Sequence, residues 1–313
     1  MKPPVNERRR SLFSFAEELQ NHPSCYERVG TGFWKHPWSS RKALEIQLSR
    51  ASSEGARTPE RATAQVDAII SKLPYPPATV VDLGSGLGHH AVAFAETGSE
   101  VRGIDISPEA IRFARQRASE TGDFPAGSVE FLEGDFRELL WGDGGVDLAL
   151  LLFGEFCLLT EEERVAFLRG SRAALKPGGY LVLELFEQET EAVPEEQSWE
   201  YSSGEGFWSE EPYLELNVTT SYPGEKTILH RFGLCFSDGS IREERIWESS
   251  INRRRLEEEL VRSNRDGTGP ALRLVEFDDA GPPFGEDEGE LGRRWYVAVV
   301  AADGQNSVSS GYA

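Results

Sequence analysis

Residues 80–88 read VVDLGSGLG. The two valines are typical of a buried strand, and the three glycines that follow predict a tight turn into a helix that begins near His89. Glycine allows positive φ and a close approach of the backbone to a ligand, while the unpaired amides of a helix N-terminus attract polar or anionic groups. The stretch therefore predicts a turn that binds one half of a nucleoside cofactor.

A second acidic position supports this interpretation. The next strand is predicted over 100–104 and ends in Asp105, 21 residues after Gly84. In a doubly wound sheet, an acid at the tip of the second strand, about 20 residues past the first glycine, is placed to accept hydrogen bonds from both ribose hydroxyls. We therefore expect a ribose at this position.

The residues around the glycines distinguish two classes of nucleoside. A nicotinamide oxidoreductase is typically marked by G-x-G-x-x-G, whereas the glycines here alternate at 84, 86 and 88. Asp82 would repel a pyrophosphate, but it is compatible with a methionine moiety that carries a cationic sulfonium. The stretch resembles motif I of the class I S-adenosylmethionine-dependent methyltransferases, and the resemblance runs from about Thr79 to Glu187.

Two further segments carry the same resemblance. The EGDF loop at 133–136 follows the third predicted strand, and LKPGGYLVLE at 175–184 leads into the fifth. The resemblance implies an α/β fold with a seven-stranded, doubly wound sheet whose last strand is antiparallel and inserted. It also implies a bacterial enzyme of the small-molecule or natural-product type that uses S-adenosyl-L-methionine.

The expected cofactor-binding residues come from these motifs. The resemblance implies that Asp135 accepts a hydrogen bond from the adenine amino group and that Phe136 backs the ring. The full expected set is Asp82, Gly84, Ser85, Gly86, Gly88, Asp105, Ile106, Gly134, Asp135, Phe136 and Phe153.

The fourth predicted strand, 146–152, is apolar on both faces and is therefore expected to be central and parallel. Ligands of open α/β sheets bind beyond the carboxyl ends of the strands, so the chemistry is expected near Glu155. Glu155 is the first catalytic candidate, as a group that binds the acceptor or takes its proton. The alternative is a solvated or helix-capping acid.

Aromatic segments outside the core are expected to form the acceptor site. They are an N-terminal helical flap at 25–75 and a three-stranded antiparallel β insert at 191–249, after strand 5, indicated by a hydrophobic period of two. His230 is the second catalytic candidate, or else a buried histidine whose hydrogen bonds are satisfied. The expected acceptor-binding residues are Tyr26, Trp34, Trp38, Phe156, Trp208, Arg245 and Trp247.

Each of these acceptor segments has a structural alternative. The flap can simply pack its helices on the sheet, and Arg245 can form a surface ion pair with a neighbouring glutamate. The segment FWKHPWSSRKALEIQL at 33–48 is also similar to the N-terminal segment of some bacterial small-molecule methyltransferases. His36 stands there in the place of an aspartate, and Gln47 replaces a usual histidine.

The predicted organisation is one catalytic domain with additions. It comprises a polar tail at 1–24, the helical cap at 25–75, a methyltransferase core at 76–190 and 250–303, the insert at 191–249 as acceptor wall or lid, and a second tail at 304–313.

Composition narrows the function classes. A formal net charge of −20 would repel a nucleic-acid backbone, and no apolar run of about 18 residues predicts a membrane helix. Three distant cysteines, without C-x-x-C or H-x-x-x-H, predict no disulfide framework and no metal. We expect a cytoplasmic enzyme, monomer or homodimer, that methylates oxygen, nitrogen or carbon of a small molecule. The alternative is a cyclase or regulator that binds S-adenosylmethionine without methyl transfer.

Overall fold

A computed structural model describes residues 12–29, 32–50, 58–122, 124, 126–138, 141–190, 196–265, 269–281, 283–284 and 293–304. Of the predicted tails, 1–11 and 305–313 lie outside these residues, whereas 12–24 are described and include a helix that packs on the insert. The elements described below are those of the described part of the chain.

The helices and strands alternate through most of the chain. The helices are α1 Leu12–Leu19, α2 Pro37–Arg50, α3 Pro59–Lys72, α4 His89–Glu96, α5 Pro108–Thr121, α6 Glu161–Ala174 and α7 Arg253–Arg265. The strands are β1 Thr79–Leu83, β2 Glu100–Asp105, β3 Ser128–Glu133, β4 Val146–Leu151, β5 Leu175–Glu187, β6 Glu196–Ser202, β7 Tyr213–Tyr222, β8 Thr227–Phe236, β9 Ile241–Ser249, β10 Leu272–Asp279 and β11 Arg294–Ala302.

Seven strands form one sheet in the order β10-β11-β5-β4-β1-β2-β3. Strands β1 to β5 pair in parallel, whereas β11 is antiparallel to both β5 and β10. This is the seven-stranded arrangement with an inserted antiparallel last strand that the sequence predicted. The strand order reverses direction at β1, so a ligand crevice is expected beyond the carboxyl ends of β1 and β4.

Local sequence explains why these elements form. Every residue of β4 is buried, as expected for a central parallel strand covered on both faces. Helix α5 begins where Ser107 accepts a hydrogen bond from the Ala110 amide, with proline at the first helical position. Thr160 and Glu163 form a capping box at the start of α6. These caps fix the helix starts at the edge of the sheet where the crevice is expected.

The insert is a four-stranded antiparallel sheet, β6-β7-β8-β9, and the prediction of three strands was wrong. The additional strand, β6, lies at the sheet edge and exposes Trp199 by 71% and Tyr201 by 62%. Its other residues are acidic or small and polar, so it lacks the alternation of buried and exposed positions that reveals a half-buried strand. On another part of this sheet, α1 packs Phe15 and Leu19 against Val218.

Two compact units divide the chain differently from the predicted organisation. One comprises Met1–Ala43 and Glu189–Ser249, and the other comprises Leu44–Gln188 and Ser250–Ala313. The segment 25–75, predicted as one cap, is thus shared between them: α3 packs in the second unit, where its residues Val66 and Ile69 join the core of the seven-stranded sheet.

Candidate active site: the glycine cleft

The glycine loop after β1 has the backbone conformation that its sequence predicted. Gly84, Gly86 and Gly88 have φ values of 67°, 49° and 74°. A Cβ atom at Gly86 would meet nothing within 4 Å, whereas one at Gly88 would lie 2.6 Å from the Phe131 ring. Gly86 therefore borders open space, and Gly88, predicted to bind cofactor, is required for packing between α4 and β3.

Asp105 orders this loop from the tip of β2. Its Oδ2 accepts a hydrogen bond from the Gly86 amide at 2.8 Å, and its Oδ1 accepts one from the Ser107 amide at 2.8 Å. Burial raises the pKa of this carboxyl, and the backbone amides oppose that shift. Each carboxylate oxygen has a second lone pair, so the group can still accept hydrogen bonds from a bound ribose.

Asp82, at the end of β1, is 3% exposed. The Ala91 amide donates a hydrogen bond to its carboxyl, but its Oδ2 is buried without a hydrogen-bond partner. Burial, and next the nearby charge of Asp105, raise the pKa of Asp82 to about 7. A cationic ligand group would therefore be stabilised here by an acid that is close to its ionisation point at neutral pH.

A small cleft, partly open to solvent, lies over this loop, and we call it the glycine cleft. It is lined by the glycine loop, by residues of α2, α3 and the first turn of α4, and by the turn that follows β4. The lining residues are Gln47, Thr58, Ala62, Gln65, Gly84, Ser85, Gly86, Leu87, His89, His90 and Phe153.

Two histidines of α4 contribute different groups to the glycine cleft. His90 is 6% exposed and its Nε2 lies 2.6 Å from Gln65 Oε1. Because Gln65 Nε2 donates to the Pro283 carbonyl, its Oε1 must face His90, and His90 Nε2 is the donor. His89 Nδ1 is buried without a hydrogen-bond partner, and burial lowers the pKa of His89 to about 4, so this ring is neutral at pH 7.

Three residues that were not predicted as cofactor-binding also line the glycine cleft: Gln47, Thr58 and Gln65. They are separated from the glycine loop by up to some 40 positions, and only the fold brings them together. A signal existed for Gln47 alone, because the N-terminal resemblance marked its position as one usually occupied by histidine.

The turn that leaves β4 supplies Phe153 and Glu155. The Phe153 ring lines the cleft and its centroid lies 5.6 Å from that of His90. The Cγ of Glu155 would be 3.5 Å from a Cβ at Gly84, so this side chain lies against the glycine loop. Phe156 is fully buried, 5.9 Å from the Phe167 ring, and its predicted contact with an acceptor does not fit this position in the core.

The predicted adenine contacts lie at the end of β3. Both Asp135 oxygens accept hydrogen bonds from Arg137, at 2.8 and 2.5 Å, and the Phe136 ring packs on Phe167. The Gly134 amide donates to the Asp105 carbonyl at 2.9 Å, while Ile106 is half-buried on the other side of Asp105. These residues do not line the glycine cleft, and their contacts with adenine stay a prediction.

In the insert unit, the predicted polar acceptor residues are bonded to one another. His230 Nδ1 lies 3.2 Å from Thr219 Oγ1, and its Nε2 lies 3.2 Å from Glu248. Arg245 donates to Glu243 and to Glu27. The geometry is that of the two structural alternatives, a satisfied histidine and an ion pair.

The predicted aromatic acceptor residues of this unit also pack together. The Tyr26 hydroxyl is 2.9 Å from Ser249 Oγ, and the rings of Tyr26 and Trp247 are 5.6 Å apart. Phe33 contacts the rings of both Trp34 and Trp208, at 4.5 and 5.3 Å. Trp38 Nε1 donates to the Gly206 carbonyl at 2.9 Å.

The glycine cleft fits the cofactor that the resemblance implies. The open space at Gly86 allows close approach of a ligand. Asp105, which orders the glycine loop, retains acceptor capacity for hydroxyl groups. Asp82, two residues before the loop, has a buried Oδ2 without a hydrogen-bond partner, which suits a positively charged group. A doubly wound sheet with such a site at its switch point defines a nucleoside-cofactor enzyme of the Rossmann-like class.

Comparison with known proteins identifies the family of this domain. Residues 80–179 match the family described as "Methyltransferase domain". The cypemycin N-terminal methyltransferase of Streptomyces sp is 36% identical over 107 residues, which are 34% of this chain and 41% of that protein. The carboxy-S-adenosyl-L-methionine synthase of Chromohalobacter salexigens is 30% identical over 149 residues, 46% of this chain and 49% of that protein. The chain thus spans less than half the length of these relatives.

Solved structures agree on the fold. The CcbJ methyltransferase from Streptomyces caelestis superposes with a TM-score of 0.56 at 20% identity, covering 86% of this chain and 99% of that one. Residues 80–179 are therefore a methyltransferase domain of the class I, S-adenosylmethionine-dependent family. Within the described residues, no helix is long and apolar enough to cross a membrane, and no group of three or more His, Cys, Asp or Glu could hold a metal ion.

Proposed function

We propose that this protein transfers a methyl group from S-adenosylmethionine to a small-molecule acceptor, in the manner of a natural-product methyltransferase. The observation that carries the proposal is the glycine cleft, where Gly86 borders open space. Close to it in the chain, Asp82 Oδ2 in β1 and His89 Nδ1 in the first turn of α4 are buried without hydrogen-bond partners. Relatives and structural neighbours that are named as methyltransferases support it.

The residues of the cleft would hold the cofactor by distinct groups. Asp105 would accept hydrogen bonds from the ribose hydroxyls. The loop from Gly84 to Gly86 would approach the part of the cofactor that joins the ribose to the methionine. Asp82 would offer the oxygen that has no partner to the positively charged methionine end of the cofactor. When bound, S-adenosylmethionine would supply an electrophilic methyl group on its sulfonium. A nucleophile of the acceptor attacks the methyl carbon in line with the carbon–sulfur bond, and S-adenosylhomocysteine leaves. The protein then needs only to align the two reactants, exclude water and accept a proton where the acceptor must lose one.

Glu155 is the residue we propose for that last task. It begins a short 3₁₀ helix, Glu155–Leu158, directly after the turn that leaves β4, and its side chain lies against Gly84. His230 is held by two neighbours at its ring nitrogens, so we assign it a structural role in the insert. A carboxylate at Glu155 would bind a protonated amine or orient a hydroxyl of the acceptor.

Turnover measurements test this proposal. The protein is incubated with S-adenosylmethionine and a panel of phenols and amines, and S-adenosylhomocysteine and methylated products are detected by mass spectrometry. With an active acceptor, Glu155→Gln should lower turnover more than about tenfold, the low end for a positioned acid or base, and keep cofactor affinity within about threefold. Glu162→Gln, an exposed acid on α6, is the matched control and should change neither.

Two other outcomes have defined meanings. Full turnover by Glu155→Gln would show that Glu155 is a bystander, and an equal loss of cofactor affinity would place it against the methionine amino group instead. A wild-type protein that does not bind S-adenosylmethionine contradicts the proposed function itself.

A second function is favoured by one relative. The similarity to a carboxy-S-adenosyl-L-methionine synthase extends over 149 residues, further than that to the cypemycin enzyme. Such a protein would bind the cofactor and modify it. It would transfer no methyl group to an acceptor and would therefore release no S-adenosylhomocysteine. The mass spectrum separates the two: a modified cofactor without a methylated acceptor supports the second function.

A further inference from the structure

The chain leaves the central strand β4 through an unusual turn. Phe153 and Gly154 follow one another with φ values of 60° and 75°, both in the left-handed region. Glycine adopts this region freely, but a residue with a Cβ rarely does, and for a bulky aromatic residue the conformation must be held by its surroundings. The strain therefore points to a group that stabilises the turn.

Glu184 on β5 is that group. The Phe153 amide donates a hydrogen bond to the Glu184 side chain at Oε2, 2.8 Å away, and the Gly154 amide donates to the Glu184 main-chain carbonyl at 3.2 Å. Glu184 is 1% exposed. Burying a carboxylate is costly unless donors surround it, so an acid in this position is expected only where its hydrogen bonds are needed.

The turn fixes two side chains of the glycine cleft. It directs the Phe153 ring to the cleft, beside His90, and the Glu155 side chain against Gly84. Gly154 packs closely on the Phe186 ring, because an added Cβ at this position would lie 2.8 Å from it, so the turn has room for glycine but not for a side chain. One residue of β5 thus controls where both groups lie, although it does not line the cleft.

We propose that Glu184 is a positioning residue for cofactor binding, which acts by holding the left-handed turn at Phe153 and Gly154. The proposal rests on the proposed function, since it concerns the same cofactor. What matters in this role is that an acceptor oxygen reaches the Phe153 amide, and the charge of the group is secondary.

Three substitutions separate reach from charge. Glu184→Gln keeps an oxygen at the same reach and removes the charge, Glu184→Asp keeps the charge and shortens the reach by one methylene, and Glu184→Leu removes the acceptor. The dissociation constant of S-adenosylmethionine is measured by titration calorimetry, and the melting temperature of each variant is recorded. We expect Glu184→Gln to keep the affinity for S-adenosylmethionine within threefold of the wild type. Glu184→Asp should lower this affinity at least threefold, and Glu184→Leu at least tenfold.

Asp147 provides a matched control within the same sheet. It is also a buried acid, 4% exposed, that accepts hydrogen bonds from backbone amides, here those of Ala78 and Thr79, but it lies at the opposite, amino-terminal end of β4. Asp147→Leu should lower the melting temperature about as much as Glu184→Leu and leave cofactor affinity within twofold.

The outcomes distinguish this proposal from general destabilisation. If Gln weakens binding more than Asp, charge and not reach is decisive, and the positioning role is wrong. If Asp147→Leu weakens binding as much as Glu184→Leu, the effect is loss of stability alone. Should the Leu variant not fold, the order of Gln and Asp still decides. Failure of wild-type binding would instead contradict the proposed function, whichever result Glu184 gives.

Discussion

The glycine cleft and the insert sheet differ in how their buried polar groups are satisfied. At the end of β1, in the glycine loop and in the first turn of α4, Asp82 Oδ2, Ser85 Oγ and His89 Nδ1 are buried without hydrogen-bond partners. In the insert, His230 and Arg245 are bonded to neighbouring side chains. Leaving a buried polar group unpaired costs about 1–3 kcal/mol, so an unpaired group next to a cleft is a candidate for contact with a ligand. Among the residues predicted from the sequence, His230 and Arg245 of the insert already have partners, whereas Asp82 and Ser85 at the glycine loop keep unpaired atoms.

Asn217 Oδ1 and Arg242 Nε of the insert are also buried without hydrogen-bond partners, and they belong to residues that were not predicted as site residues. Arg242 Nε still forms an ion pair with Glu244, 3.7 Å away. The Asn217 side chain forms a hydrogen bond with the Glu215 carboxyl group. Because a carboxylate only accepts, the Asn217 amide nitrogen is the donor, and the Asn217 oxygen faces away from Glu215. Burial raises the pKa of Glu215 on the same strand.

The largest expected effect is that of Gly86→Val. The new side chain would enter the glycine cleft, and a β-branched residue is strained at a φ of 49°. We expect cofactor affinity to fall more than about a hundredfold, equivalent to about 2.7 kcal/mol, while the fold survives. Titration calorimetry measures the affinity and thermal unfolding the stability.

Gly239→Val is the matched control for this substitution. Gly239 lies in the hairpin between β8 and β9, has a φ of 83° and, like Gly86, borders open space. The same backbone strain should therefore lower stability without changing cofactor affinity. Equal affinity losses at the two glycines would remove the distinction between the cleft and the insert, and normal binding by Gly86→Val would show that the glycine loop is not the cofactor site.

An intermediate effect is expected from Asp82→Asn, as a dependence of stability on pH. The pKa of Asp82 is about 7 in the folded protein, against an ordinary value of 3.8. Between these values the unfolded chain loses the proton and the folded chain keeps it, so raising the pH from about 4 to about 7 lowers the free energy of unfolding. Below about pH 4, Asp82 is protonated in both the folded and the unfolded chain, and above about pH 7 it is ionised in both. Outside this range, its contribution to the free energy of unfolding therefore does not change with pH.

Asp82→Asn should remove this component. Between pH 5 and pH 7, urea unfolding of the ligand-free wild type should lose about 2 kcal/mol more than the variant loses, on the scale of about 1.4 kcal/mol per pH unit. Parallel pH profiles of the two proteins would mean that Asp82 is already ionised in this range, with a partner that satisfies it.

The smallest effect is expected from His230→Gln in the insert. The substitution weakens hydrogen bonds to Thr219 and Glu248, each worth about 0.5–1.5 kcal/mol. The melting temperature should fall by about 2–4 °C, with cofactor affinity unchanged and turnover within twofold on any active acceptor. A tenfold loss of turnover without a stability change would restore His230 as a catalytic residue and contradict the comparison.

Much of the fold followed from local sequence. The conformation of the glycine loop, the acid at the tip of β2 and the apolar β4 each depend on residues within about one helix or strand, and these predictions are confirmed. Strand β6 was not predicted, because an exposed edge strand shows no alternation of burial. Phe156 was predicted at the acceptor site, because sequence position next to Glu155 does not reveal which side of the turn faces the core.

The sequence by itself determined the class of domain and the side of the sheet at which its cofactor site is proposed. Those features depend on short-range requirements for glycine at positive φ, for an acid at a strand end and for hydrophobic periodicity. Only the tertiary structure decided which polar groups remain without partners, that Gln47, Thr58 and Gln65 line the cleft, and that Glu184 holds the turn at Phe153. Hydrogen-bond satisfaction joins residues from distant parts of the chain, and no local pattern encodes it.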